Sequence, residues 1–342
     1  MNASMIGLDI AKSVFQVHGV DAGGEVVVRR KLRRSQMKPF FSKLAPCVVA
    51  LEACGTGHYW ARELEALGHE ARLVPPAYAK AYVKRGKNDA VDAAAICEAA
   101  SRPSMRLVPV KSVAQQAALT PHRTREMLIK QRTMLINTLR GQMAEFGIIA
   151  AKGGDGLKAL LAILHDREET RLPELARQVL RELAGAIEAL APRIQRIEKT
   201  IRAMARDNPL ARRLMTIPGV GPITATAVVA SVGDPAAFRN GRHFSAWIGI
   251  VAKQHSTAGT PRLGRISKMG DRYLRKLLVL GATSRLRQAK TGDTPLDAWV
   301  RKLLEQKKSK RLVTVALANK TARILWAVMA TAQPYQPERA AA

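Results

Sequence analysis

The chain has 342 residues, 47% of them apolar, and its 56 Lys and Arg against 27 Asp and Glu leave a net charge of +29. That apolar content excludes a disordered tail protein, and three cysteines with no CxxC spacing (Cys47, Cys54 and Cys97) exclude a disulfide scaffold and a zinc ribbon. Free thiols suit a reducing cytoplasm, and the charge points to a polyanionic partner, most simply nucleic acid.

The opening MNASMIGLDI has no basic leader and carries Asp9 within its apolar run, so no targeting segment is expected. Residues 5–10, 15–20 and 25–30 read as strands, with Asp21-Ala-Gly-Gly as the turn between the second and third. A short helix is expected over 35–44, and a buried strand over 47–51 runs into Glu52. A helix over 58–67 and a strand over 70–74 follow. Pro75-Pro76 then breaks the chain, and Asp89 opens the helix AVDAAAICEAA. The order βββαβαβα predicts a mixed α/β domain over 1–110 with a central sheet.

Residues 111–206 read as all-helical. Leu183, Ile187, Leu190, Ile194, Ile197, Ile201 and Met204 recur at alternating spacings of four and three, a coiled-coil seam. Pro192 within it predicts a kink or break. The partner of that seam is either the helix around 124–146, folded back, or another subunit. Residues 207–290 form a mainly helical region with glycine-rich loops. Residues 291–342 are expected to be a basic linker and a closing amphipathic helix over 312–331.

The longest uncharged stretch, 214–233, is long enough to span a bilayer. Pro218, Gly219, Gly221 and Pro222 interrupt it, so it reads as a buried helical hairpin, and no membrane partner is expected. Pro218 ends one helix, Gly219-Val220-Gly221 makes a tight turn, and a second helix begins at Pro222 or Ile223. Such a helix-hairpin-helix turn offers backbone N–H groups of Gly219 and Gly221 to a phosphate. Residues 207–342 hold 23 basic and 7 acidic groups, so much of the phosphate contact is expected there.

Four acids stand at telling positions. Asp9 lies in the first strand, Glu52 ends a buried strand, and Asp89 and Asp92 are spaced i, i+3 on one helix face. Asp89 alone could be a helix cap and Asp92 a first-turn acid. An acid inside an apolar strand is costly unless paired or metal-bound. Converging carboxylates need a cation, and hard oxygen ligands favour Mg²⁺ or Mn²⁺. Two such ions about 3.5–4 Å apart would serve phosphoryl transfer.

The run GLDIAK, LEACGTGHYW and KNDAVDAAAI resembles the DEDD transposases of the insertion-sequence 110 family, in particular its 1111 subgroup. The N-terminal domain of that family is similar to the ribonuclease H fold of RuvC-type junction resolvases. The resemblance implies a RuvC-like mixed sheet, then a helical spacer, then a mainly helical C-terminal domain. It assigns the family's four acids to Asp9, Glu52, Asp89 and Asp92. Lys87, just ahead of the acids, and Lys12 in GLDIAK are the matching candidates for phosphate contacts.

Downstream, RHFSAWIGIVAKQHSTAGTPRLGRISKMGDRYLRKLL resembles the second half of the same family's C-terminal domain, which carries a nucleophilic serine. The matching position is Ser256 in QHSTAG; Ser245 and Ser267 are weaker candidates. From composition alone Ser256 would be one loop serine among several, so the assignment follows from the resemblance. Arg262, Arg265, Lys268, Arg272 and Arg275 follow closely and could hold the phosphates. A serine hydroxyl needs activation. The adjacent His255 is a poor candidate for its base, and metal ions held by the acids could instead polarise the phosphate, provided the two domains meet within one chain or across subunits. Attack would give a covalent phosphoserine.

The resemblance further implies DNA element ends and target DNA as substrates, a structured non-coding guide RNA, and a homo-oligomer, a tetramer built from two dimers. Two rivals remain. A structure-selective nuclease using a metal-activated water would survive Ser256→Ala. A non-enzymatic DNA-architectural protein would survive Asp9→Asn and Glu52→Gln.

Overall fold

A computed structural model of the chain describes residues 2–83, 89–257, 260, 262–289, 291–306 and 309–337. Two compact units result, residues 1–115 and 116–342.

The first unit is built on a five-stranded mixed sheet. Its strands are β1 (Met5–Ile10), β2 (Val14–Val20), β3 (Val26–Arg33), β4 (Val48–Glu52) and β5 (Glu70–Val74), in the order β3-β2-β1-β4-β5. The first three form an antiparallel meander, and β4 and β5 add in parallel to β1. β3 runs three residues beyond its expected end, because β2 offers ladder partners as far as Arg33 opposite Val14.

Ile6, Leu8, Phe15, Val17, Val49, Leu51 and Leu73 point to one face of the sheet. There they pack against α1 (Met37–Phe41) and α2 (Gly57–Ala66) through Met37, Phe41, Trp60 and Leu64. The Pro75-Pro76 break is followed by the short α3 (Pro76–Ala79), with Pro76 at a first-turn position that needs no N–H.

The other face is covered by α4 (Asp89–Ser101). Ile96, Ala99 and Ala100 of α4 pack there with Ala50 and Val74. Gly7 sets the closeness of that packing. A Cβ on Gly7 would lie 2.1 Å from the Ala93 carbonyl oxygen and 2.7 Å from Cys97 Cβ. Only a glycine lets α4 lie this close to β1.

The second unit is helical, apart from one hairpin. α5 (Val113–Ala144), which begins just before the unit boundary, leads to α6 (Gly154–His165) and α7 (Glu174–Asp207). Leu128 of α5 meets Leu190 and Ile194 of α7, while Leu139 and Met143 meet Leu180, Ala184 and Ile187, so the two helices run antiparallel. The expected break at Pro192 is absent, and α7 continues through it for 34 residues. Burial of Ile187, Leu190 and Ile194 on either side of Pro192 outweighs the one backbone hydrogen bond it removes.

Then come α8 (Pro209–Leu214), α9 (Pro222–Ser231), α10 (Gly241–Ile248), the two-stranded hairpin β6 (Ala252–Gln254) and β7 (Leu263–Ile266), α11 (Arg272–Gln288), α12 (Pro295–Glu305) and α13 (Lys310–Thr331). They share one core, with Val228, Phe244, Leu274, Leu278, Leu317 and Leu325 at its centre. The segment expected to be a basic linker carries α12, capped by Thr294 and anchored by buried Asp297, which pairs with Arg285. α13 is long and apolar enough to cross a membrane by composition, but Val313, Leu317, Ala318, Ala322 and Leu325 are buried in the core. A core helix passes the same test.

Candidate active site

The first unit gathers the four acids that the sequence singled out. Leu8 and Leu51 are paired in the parallel ladder, and Asp9 and Glu52 each follow directly. Neighbouring parallel strands in register point equivalent side chains to the same face. For Asp9 that face is also Gly7's, the one covered by α4. Because Gly7 admits Ala93 against β1, Asp92 arrives beside Asp9, with Asp89 one turn earlier on α4.

Electrostatics report the same convergence. The Asp9 carboxyl is pushed up to about 6, first by its burial and then by the charges of Asp92, Asp89 and Glu52. Glu52 is raised by burial and by Asp92. Among the described residues no Lys or Arg forms an ion pair with any of the four. A negative cluster without a cationic side chain is the donor chemistry a hard divalent ion requires. Among the described residues, however, no three His, Cys, Asp or Glu groups are drawn in tightly enough to form a finished metal cage. Lys87 lies outside the described residues, and Lys12 is exposed on the loop after β1, where its carbonyl accepts from Arg34 at 3.3 Å.

In the second unit Ser256 is exposed just beyond β6. Its Oγ accepts from Gln254 Nε2 at 3.0 Å and from the Arg262 backbone N–H at 3.1 Å. These two donors fix the hydroxyl oxygen across the hairpin. The neighbouring His255 backbone N–H donates to the Arg262 carbonyl at 2.8 Å. A Cβ on Gly264 would come within 3.1 Å of the His255 ring. The ring thus lies over β7, and none of the Ser256 hydrogen bonds comes from it. Ser245 is 1% exposed and donates to the Arg242 carbonyl within α10, which removes it as a nucleophile. Among the described residues the buried Ser267 hydroxyl has no hydrogen-bond partner.

The base of this hairpin is locked by two left-handed glycines. Gly249 (φ 79°) would clash with the Met269 carbonyl, and Gly270 (φ 84°) with that of Trp247, if either carried a Cβ. Arg275 reinforces the same place, donating to the Ile248 carbonyl at 2.6 Å and to Met269 at 3.2 Å. That structural duty was not legible in the sequence, where Arg275 read only as a phosphate contact. Arg262, Arg265 and Lys268 are exposed along the hairpin and its exit, and Arg272 is exposed in the first turn of α11.

Gly219 (φ 85°) and Gly221 are exposed in the turn between α8 and α9. Gly219 also approaches α11 closely, since a Cβ on Gly281 would lie 2.2 Å from the Gly219 carbonyl oxygen. Behind this turn lies a network that sequence reading missed. His122, 1% exposed, contacts Thr226 Oγ at 3.0 Å through Nε2 and Tyr273 Oη at 3.1 Å through Nδ1. The Thr226 hydroxyl donates to the Pro222 carbonyl at 2.7 Å, so it accepts from His122 Nε2–H, and Nδ1 accepts from Tyr273. A lone histidine in a helix gives no sequence signal of such a role.

Two family profiles and several relatives match the chain. Residues 6–148 match the profile of the DEDD transposases of the IS110 group, described as a transposase, and residues 211–295 match the one described as the transposase IS116/IS110/IS902 family. The chain is 51% identical over 338 residues to a probable family 20 transposase of Pseudomonas aeruginosa, covering 98% of this chain and all of that protein. It is 39% identical to the transposase for insertion sequence element IS1111A of Coxiella burnetii, over 97% of this chain and 91% of that one. With the transposase for element IS1328 of Yersinia enterocolitica it shares 37% identity, over 96% and 97%.

Proposed function

The chain belongs to the IS110/IS1111 family of insertion-element transposases, and from that premise we propose that it cuts and rejoins DNA through a covalent phosphoserine on Ser256. The observation that carries the acidic half of this reading is the convergence of Asp89, Asp92 and Glu52 on Asp9, whose carboxyl their charges and its burial hold well above the usual carboxylate range. DEDD transposase domains depend on divalent metal, and these four carboxylates are the residues that would hold it, as Mg²⁺ or Mn²⁺. A divalent ion there would supply charge neutralisation at the phosphate of the strand being cut.

The chain's own groups do the rest. Gln254 Nε2 and the Arg262 amide donate to Ser256 Oγ and hold it in place on the hairpin. The serine O–H bond breaks, its proton passing to water. The new Oγ–P bond forms as the P–O bond to one deoxyribose breaks, and that sugar oxygen leaves as a hydroxyl on taking up a proton. The phosphodiester count is unchanged, so the reverse attack by another DNA hydroxyl rejoins strands and restores the serine. Arg262, Arg265 and Lys268 would bear the phosphate charges during both steps. Gly219, Gly221 and Arg272 would hold flanking backbone, and Lys12 and Lys87 the strand near the acids.

A guide RNA and a tetrameric assembly belong to the same reading. Their support is the family resemblance and a net charge of +29 that suits backbone contact with more than one polyanion. The experiment is cleavage of labelled element-end DNA with and without Mg²⁺, in the presence of RNA transcribed from the element's flank. Cleavage should require the ion and fall at least about 100-fold in Asp9→Asn and Asp92→Asn. Full activity in both variants would overturn the role of the acids.

A further inference from the structure

Strand β3 carries five basic residues in a row of six, Arg29, Arg30, Lys31, Arg33 and Arg34 with the core residue Leu32 among them, counting the residue just past its end. Alternation sorts them. Arg30 stacks over the Phe40 ring, and Arg34 lies over Trp60 and donates to the Lys12 carbonyl. These two are therefore occupied on the α1 and α2 side. Arg29, Lys31 and Arg33 point to the opposite face, are exposed, and form no ion pair among the described residues.

That opposite face is the one from which Asp9 projects. The register places Asp9 opposite Gln16 on β2, and Gln16 opposite Lys31 on β3. One row down, Gly7 stands opposite His18, and His18 opposite Arg29. Two strand spacings separate Asp9 from Lys31, about 10 Å. Gln16, His18, Arg29 and Lys31 form one wall of a groove whose other wall is Ala94 and Glu98 of α4. The groove therefore runs beside the helix that carries Asp89 and Asp92, with a basic row at one edge and Asp9 one strand away from its Gln16 end.

We propose that this face of β2 and β3, with Arg29, Lys31 and Arg33, is a track for the backbone phosphates of the DNA strand delivered to Asp9. The inference rests on the proposed role of the acids as the site where DNA is cut. The charge complementarity is direct: acids repel a phosphate backbone, so a strand approaching them must be held by cations set to one side. Arg29 and Lys31 are the exposed cations that the sheet register places nearest along those rows. Gln16, between them, can donate an amide hydrogen to a phosphate oxygen without adding charge.

The test is binding of the full chain to a fluorescent DNA duplex at several salt concentrations, with Arg29→Ala, Lys31→Ala, and the control Lys43→Ala beyond α1. Each groove variant should weaken binding several-fold at low salt and shallow the slope of log Kd against log salt by about 1, the loss of one phosphate contact. Lys43→Ala should leave the slope unchanged. In the cleavage assay Lys31→Ala should raise KM with little change in kcat. Circular dichroism melts check that the exposed substitutions leave the fold intact.

Slopes equal to wild type in both groove variants would overturn the track and leave the basic row as protection of an edge strand against pairing. Loss confined to binding of a structured RNA would also overturn it, moving the face to a different partner. Asp9→Asn run in parallel separates the two claims. If it cuts DNA normally the acidic reading fails, and if it binds but does not cut while the groove slopes are unchanged, only the track fails.

Discussion

Asp9 bears two costs at once, half-burial on β1 and three facing carboxylates. In metal-free protein at neutral pH both disfavour its charge, so Asp9→Asn should raise the melting temperature while removing any stabilisation by added Mg²⁺. The gain is roughly 1 kcal/mol after allowance for the exposed half of the group. Thermal melts of both proteins with and without Mg²⁺ check this, and equal stabilisation of the two by Mg²⁺ would count against Asp9 as a ligand. Gly7 is the second critical residue. Gly7→Val would drive side-chain atoms into Ala93 and Cys97, costing on the order of 3 kcal/mol and displacing Asp92. The expected readout is a lower melting temperature with cleavage lost even where the protein remains folded. The four acids were legible because a charge in an apolar strand is conspicuous and because the motifs resemble a known set. Gly7 was not, since a glycine in a strand does not reveal what will approach it.

At the scale of elements, the βββαβαβα order could be read because each strand is short, β-branched and bounded by turn residues. Its ends were less legible: β3 is extended by its neighbour's ladder, not by its own composition. The continuity of α7 was hidden for the same reason, since a proline signals a break locally while burial along α5 is non-local. Pro192→Ala should therefore stabilise the protein, by up to about 3 kcal/mol, seen as a higher urea midpoint. The joining of α5, α9 and α11 through His122 gives a pH signature. Burial, then the nearby Arg125, lowers the His122 pKa from 6.5 to about 4. The unfolded chain thus binds a proton that the native one refuses, and stability from this group falls as pH drops from about 6.5 towards 4, by about 3 kcal/mol in all. His122→Gln should flatten that part of the stability curve. An unchanged slope would mean that the imidazole protonates in place.

For the whole molecule, charge and architecture divide the work. The first unit contributes the acids and the second, with the larger basic excess, contributes the serine hairpin and the α8–α9 turn. The assignment of Ser256 as nucleophile rests on resemblance, because a polar loop serine has no compositional signature. The hairpin that holds it depends on Gly249, Gly270 and Arg275, whose roles emerge only once the chain is folded. On the proposed mechanism DNA becomes bonded to Ser256, and the acids are required for that step. The most direct measurement is covalent capture: the protein is incubated with Mg²⁺, labelled element-end and target DNA and flank-derived RNA, then run on denaturing gels, with the adduct peptide mapped by mass spectrometry. The expected result is a DNA adduct on Ser256 that disappears in Ser256→Ala and in Asp92→Asn. Cleavage without any adduct, undiminished in Ser256→Ala, would contradict it and leave a nuclease that uses water.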